Sequence, residues 1–283
     1  KRERIVTLYI LLLAVLSVSA QGKKEETAKR RAEGRCAKTW RIDRQFAVAD
    51  TVSIDSSHIN YNVKNLVDKL SIANSYSGNY GSPIQSKIFS KRIQGSNFMF
   101  EDGYVPYLTD IRNAQFYDVN FPFTNLTYIT GGPDGHKEEQ VKFLFTASPS
   151  AKVNFGLNLD YLYSAGMYRN QAAQRFSGNI FGRYNGTRYS AYGLAAVNNH
   201  FNHDNGGLTN LTMLNNPNVD VATKDMPTAM HGYSVFRKNF FYYNHSYSLG
   251  FQREVKVDKD SSSFEFVPVT RFGHVIQFEE MKK

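Results

Sequence analysis

The chain has 283 residues, a mean hydropathy of −0.45 and a formal net charge of +9 at pH 7. This hydropathy excludes a bundle of membrane helices but allows a transmembrane β-barrel, whose strands alternate apolar and polar side chains. Tyrosine (18 residues) and phenylalanine (21 residues) are abundant, which is typical of strand-rich proteins. The single cysteine, Cys36, excludes an intramolecular disulfide, so stability must come from a large core or a closed sheet.

The first twenty residues have the pattern of a secretory signal peptide. Lys1, Arg2 and Arg4 form a basic head, residues 5–18 form a short apolar run, and small residues end the segment at Ala20. We predict cleavage after Ala20. The alternative is an uncleaved anchor, which the shortness of the apolar run disfavours because a spanning helix needs about 20 apolar residues.

Residues 21–120 are predicted to form a periplasmic N-terminal segment that is partly irregular. Its beginning is rich in basic residues, which by themselves would suggest nucleic-acid binding. Secretion argues against a nucleic-acid partner, so we interpret this stretch as a solvated leader. The basic residues are Lys23, Lys24, Lys29, Arg30, Arg31, Arg35, Lys38, Arg41 and Arg44.

From residue 121 onward the sequence alternates with a period of two. In residues 152–164 the odd positions are apolar or aromatic from Val153 to Tyr163, and the even positions are polar or small except for Leu162. This period indicates a strand. A soluble strand is usually about half this length, whereas a tilted membrane strand needs about 9–11 residues to cross the hydrocarbon. The segment therefore favours a transmembrane strand.

Seven strands of this kind are predicted, and the connections between them alternate between longer loops and tight turns. The strands are placed at 124–131, 138–148, 152–164, 173–184, 188–201, 239–257 and 263–280. Outer-membrane barrels have short periplasmic turns and long external loops, which explains the alternation. We therefore predict an all-β, antiparallel, up-and-down transmembrane barrel in residues 121–283, with its first strand running outward. The alternative is a secreted soluble β-sandwich that binds glycan at the cell surface.

The alternation assigns one face of the strands to lipid and the other to the lumen. We expect Leu159 and Tyr161 to face lipid, and we expect a polar lumenal face to set selectivity for small solutes. The basic residues on that face predict a preference for anions. The predicted lumen-facing residues are Asn154, Asn158, Asp160, Arg175, Asn179, Arg183 and Arg188.

Seven is an odd number, whereas single-chain bacterial barrels have an even number of strands. The chain also stops at Lys283 in a charged stretch rather than an aromatic strand end. We therefore expect a curved, open antiparallel sheet, with further strands following Lys283.

Two sequence stretches, Gly78–Pro83 and Phe121–Tyr128, resemble the putative porin family of Bacteroidota, together with the strands from Phe143 to Gly207. The resemblance covers most of the chain after about residue 65. It implies a large outer-membrane barrel of a Gram-negative cell, with a periplasmic N-terminal segment. It implies no defined substrate and no catalytic residue.

The expected partners follow from this location. They are outer-membrane lipid, the barrel-assembly machinery and small solutes, and a homo-oligomer is compatible with them. The sequence shows no catalytic set, so we expect no enzymatic activity and no cofactor. An enzyme carried on a barrel is the third alternative. His200, His203 and Asp204 could supply loop ligands for a metal. The strand itself offers no third ligand at a fixed spacing, so we predict no metal site.

Overall fold

A computed structural model of the protein describes residues 37–42, 49–52, 70–92, 98–133, 135–215, 222–258 and 261–283. The predicted signal peptide at residues 1–20 lies outside the described residues. Cys36 and most of the basic leader also lie outside them.

The described residues are mostly β-structure, as the sequence predicts. The strands are β1 Ala37–Ile42, β2 Ala49–Val52, β3 Asn74–Tyr76, β4 Ile84–Ser86, β5 Phe116–Val119, β6 Phe123–Gly131, β7 Glu138–Ser150, β8 Val153–Ser164, β9 Ala173–Asn185, β10 Tyr189–Asp204, β11 Gly232–Asp258 and β12 Ser261–Lys282. The helical elements are short. They are α1 Thr212–Asn215 and the 3₁₀ turns Phe89–Lys91, Met99–Glu101, Val105–Tyr107 and Thr223–Asp225.

Strands β6 to β12 form one antiparallel seven-stranded sheet in which every strand pairs with its neighbours in sequence. Its two edges are β6 and β12, which are not paired with each other, so the sheet is open. The seven predicted strands and the open antiparallel sheet are thus confirmed. The main difference is β11, which begins at Gly232 rather than 239.

The period-two pattern sets the register of the sheet. In β8, Asn154 and Leu162 are buried on one face, whereas the aromatic odd positions such as Phe155 lie on the other. Leu162 interrupts the polar pattern because it packs under Gly81, where a Cβ would lie 2.8 Å from a Leu162 methyl group. Gly81 also has φ of +86°, which only glycine adopts readily.

Prolines within the sheet lie where the ladder is irregular. Pro149 falls in the β7–β8 register shift between Ala147 and Ser150, and Pro268 lies on the edge strand β12 beside the shift at Gly250. Proline has no N–H to donate, so it is accepted at bulges and edges.

The connections of the sheet lie at two ends. The described parts of the long loops (132–133, 135–137, 165–172, 205–215 and 222–231) lie at the long-loop end, and residues 151–152 and 186–188, together with the paired strand ends Asp258 and Ser261, lie at the short-turn end. The described long loops contact one another: His136 Nδ1 lies 3.1 Å from the Gly166 oxygen, and Lys224 Nζ donates to the Ala165 oxygen at 2.7 Å. The predicted alternation of loop lengths is therefore present.

The chain before the sheet packs against one of its faces, which we call the inner face. Strands β2, β1 and β5 form a small sheet, and β3 and β4 form a hairpin. Phe116 from β5 is fully buried, together with Ile111, against Phe181, Leu194 and other side chains of the large sheet. Burying a side chain of this size contributes about 1.5–3 kcal/mol, so this contact is a principal source of stability.

Candidate functional site

The outer face of the large sheet is apolar and exposed. Among the described side chains of β7–β11, the charged ones on this face are Glu139, Arg237 and Arg253, which lie toward its ends, and the rows between Phe143 on β7 and Leu249 on β11 carry no aspartate, glutamate, lysine or arginine. Ile180 and Phe241 are 58% and 46% exposed. Scattered apolar side chains are common on surfaces, but a continuous band of them indicates contact with an apolar medium.

Tyrosines border this apolar band at both ends of the sheet. Tyr163 lies on the outer face near the long-loop end, and Tyr184, beside Val153 on β8, lies near the short-turn end. From Val153 to Tyr163 the chain advances about 33 Å along the strand, or about 25 Å in height at a tilt of ~40°. This height matches the hydrocarbon thickness that an outer-membrane strand crosses.

The inner face carries six of the seven residues that the sequence assigns to the lumen. Asn158 on β8 is opposite Asn179 on β9, and Asn154 is opposite Arg183. Arg188 is different: it is exposed in the turn 186–188, where its guanidinium lies 5.2 Å from the centre of the Phe266 ring. The prediction that Arg188 lies on a strand is therefore wrong, because β10 begins one residue later at Tyr189. The lumenal role of all seven stays a prediction.

Two of the inner-face arginines, Arg175 and Arg183, pair with acidic residues. An Arg175 side-chain nitrogen (Nη2) lies 2.7 Å from Asp160 Oδ2, and Arg183 Nη2 lies 3.2 Å from Asp118 Oδ1 on β5. Arg175 also lies over the Tyr107 ring at 4.9 Å. These pairs offset the positive charges of Arg175 and Arg183, two of the three arginines behind the expected anion preference, which stays a prediction.

A cavity of about 600 Å³ lies between the inner face of β6–β9 and the preceding segment. Four of the predicted lumenal residues line it: Asn158, Asp160, Arg175 and Asn179. The segment contributes Tyr107 and other residues to the opposite wall. Burial raises the pKa of the Tyr107 phenol to about 12, so this group stays neutral at physiological pH. The cavity is therefore polar and is shared between the sheet and the segment.

The segment crosses the inner face from one end of the sheet to the other. At the long-loop end, the Asn79 side-chain amide donates to the Gln171 oxygen at 2.7 Å. At the short-turn end, the Val119 N–H donates to Ser148 Oγ at 3.3 Å. We call residues 70–92 and 98–119 the inner segment.

Midway, the inner segment is held by Asn198 of β10. The Thr109 N–H donates to Asn198 Oδ1 at 2.9 Å, and Asn198 Nδ2 donates to the Thr109 oxygen at 3.2 Å. Ser177 Oγ also donates to Asn198 Oδ1, at 2.6 Å. Asn198 is fully buried, so its amide replaces the water that the Thr109 backbone would otherwise bind.

A buried charge cluster gives the second attachment of the inner segment. Lys238 Nζ on β11 lies 2.6 Å from Glu101 Oε1, 3.7 Å from Asp110 Oδ2 and 3.5 Å from Glu279 Oε2. Arg112 pairs with both Glu101 and Asp110. Burial alone would lower the pKa of Arg112, but hydrogen bonds and charges from Asp110 and Glu101 raise it, so the guanidinium stays charged.

Sequence reasoning missed the inner segment as part of this site. Glu101, Tyr107 and Thr109 lie in a stretch without periodicity, and Lys238 precedes the predicted start of its strand. A signal for Lys238 was the short alternation of Ser234, Phe236 and Lys238, but it mixes polar and apolar types on one face.

The histidines that were considered for a metal do not share a face. His200 is buried on the inner face against Tyr104, with ring centroids 4.9 Å apart, whereas His203 packs on the outer face against Phe201. The part of the chain that the structure describes holds no group of three or more His, Cys, Asp or Glu side chains that could bind a metal.

The comparisons with known proteins agree with this geometry. A family model described as "Putative porin" matches residues 36–283. Neither a curated protein nor a solved structure matches the chain. Within the described residues, no helix is both long and apolar enough to cross a membrane.

Proposed function

Because the chain belongs to the putative porin family, we propose that it serves in the passage of small solutes through the outer membrane. The observation that carries this proposal is the opposite chemistry of the two faces of one sheet. The outer face is an exposed apolar band, and the inner face is polar and borders a cavity. A membrane strand requires this arrangement, with lipid on one side and a lumen on the other.

The apolar band argues against the soluble glycan-binding sandwich. In water its side chains would stay hydrated, at a cost of about 25 cal/mol for each Å² left unburied. Ile180, Phe241 and Phe278 are 58%, 46% and 62% exposed, and no second sheet covers them among the described residues. Lipid is the partner that fits this face.

The inner segment occupies the lumen as a plug. It lies on the polar face along the whole height of the sheet and is attached there through Asn198 and Lys238. The periplasmic location that the sequence suggests for residues 21–120 stays a prediction, and the plug is our alternative proposal for the inner segment. The cavity between the plug and β6–β9 is then the passage that solutes use.

The experiment is conductance of the purified protein in a planar lipid bilayer in KCl. We expect discrete single-channel steps. As an assembly control, the band of an unboiled sample should migrate differently from that of a boiled one, as folded barrels do. Correctly assembled protein that gives no conductance would contradict the channel function.

A further inference from the structure

We infer that the cavity between the inner segment and β6–β9 is a binding site for neutral, polyhydroxylated solutes such as sugars. This inference rests on the proposed function, whose solute class it names. The volume of about 600 Å³ lies within the ~300–1,000 Å³ range of small-molecule sites.

The charges at the cavity cancel. On the inner face, Lys142 and Arg175 are basic, and Glu138 and Asp160 are acidic. Glu139 also borders the cavity and pairs with Lys137. Because the basic and acidic groups balance, a charged solute gains little from entering, and the field that would select ions is weak.

The Asp160 carboxylate is held in place by two donors. Gln140 Nε2 donates to its Oδ1 at 2.9 Å, and Arg175 donates to its Oδ2 at 2.7 Å. Arg175 is 4% exposed, so burial and its pairing with Asp160 hold the guanidinium in place at the cavity wall.

The two asparagines supply further unused groups. Asn158 and Asn179 face each other across β8 and β9, and their side-chain amides make no hydrogen bond to described protein atoms. Each amide offers one acceptor oxygen and two N–H donors. A sugar hydroxyl both donates and accepts, so it matches a carboxamide better than an anion or a cation does.

Tyr107 and Tyr117 of the inner segment add aromatic surface to the same cavity. Tyr107 also fixes the Arg175 guanidinium by stacking. The site is therefore built jointly from the sheet and the plug, with planar polar groups on one wall and aromatic groups on the other. Planar hydrogen-bonding groups beside aromatic rings suit a polyhydroxylated ring.

The test is isothermal titration calorimetry of the purified protein in detergent with maltose, sucrose and trehalose. Sodium citrate and spermidine serve as charged probes, and polyethylene glycol serves as a neutral polymer without many hydroxyls. We expect saturable binding of at least one sugar and none of the other probes. Absence of sugar binding, or tighter binding of either charged probe, would overturn the inference.

The variants Asn158→Leu and Asn179→Leu should weaken sugar binding at least tenfold, because leucine keeps the size but removes the amide. Gln140→Leu should also weaken it. Gln277→Leu removes the same group from the inner face outside the cavity and should leave binding unchanged. Asn179→Ser provides a smaller substitution if a leucine variant does not assemble. Equal sugar affinity in all variants would overturn the site.

Bilayer conductance separates this inference from the proposed function. Sugar binding by a protein that does not conduct would contradict the channel and leave the site intact. Conductance without sugar binding would support the channel and contradict the sugar site.

Discussion

The substitution Lys238→Met tests whether the inner segment is held on the sheet by its buried charge cluster. Methionine keeps the length of the side chain and removes the charge. The wild-type cluster has two cationic and three anionic side chains, so the variant leaves Arg112 alone against Glu101, Asp110 and Glu279. Lys238 is 2% exposed and Glu101 and Asp110 are 5% exposed at their side chains, so solvent screens these two carboxylates only weakly once Lys238 is neutral.

The magnitude follows from this burial. Breaking a buried ion pair by removing one partner costs about 3–5 kcal/mol. If the cost falls on the attachment of the inner segment, ~3 kcal/mol makes its release more than a hundredfold more frequent. In the proposed channel, a released plug also raises the single-channel conductance.

The assay is hydrogen–deuterium exchange of the amides in residues 98–119, together with bilayer conductance. The matched control is Lys282→Met. Lys282 Nζ lies 2.6 Å from Glu280 Oε1, the same distance as in the buried pair, but its side chain is 69% exposed. Exposed pairs contribute about 0–1 kcal/mol, so the control should exchange like the wild type.

A double variant isolates the pairwise contribution. Lys238→Met combined with Glu101→Gln removes both charges of the closest pair. Its exchange should be closer to wild type than the sum of the single effects predicts, because no uncompensated carboxylate from that pair remains. The reasoning is refuted if Lys238→Met and Lys282→Met protect residues 98–119 equally.

Three further predictions concern the sheet. Asn198→Leu leaves the Thr109 backbone groups unpaired and should weaken attachment of the inner segment by about 1–3 kcal/mol, measured by the same exchange. Leu159→Arg puts a charge on the predicted lipid face, which costs about 2–4 kcal/mol, and should lower the yield of heat-modifiable protein in outer-membrane fractions. Asn158→Arg in the cavity should assemble, and the reverse order would show that the faces are misassigned. The reversal potential of the wild type in a salt gradient should lie near zero. Asp160→Asn should shift this potential toward anion preference, because it leaves Arg175 uncompensated. A wild-type pore that is already strongly anion-selective would contradict this account.

The sequence by itself determined the seven strands and their faces. Strand formation in β6–β10 follows from local alternation, which is a property of neighbouring residues and is legible without tertiary contacts. The face of each residue then follows from parity, so Asn154, Asn158, Asp160, Arg175, Asn179 and Arg183 fell together on the inner face. Turn residues predicted the connections to within a few positions. The strand assignment of Arg188 was wrong because this residue lies at such a boundary, one position before β10.

Only the tertiary structure decided what covers the inner face. The inner segment has no period, because its conformation is set by partners far along the chain, such as Thr109 with Asn198 and Glu101 with Lys238. The first residues of β11, Gly232–Lys238, were missed for the same reason. Phe236 and Lys238 contact the inner segment, so their side chains do not follow a regular alternation of apolar and polar types. The net charge of the site likewise depends on pairing between strands. Asp160 and Asp118 offset the charges of Arg175 and Arg183, and these pairs cannot be recognised from the sequence alone.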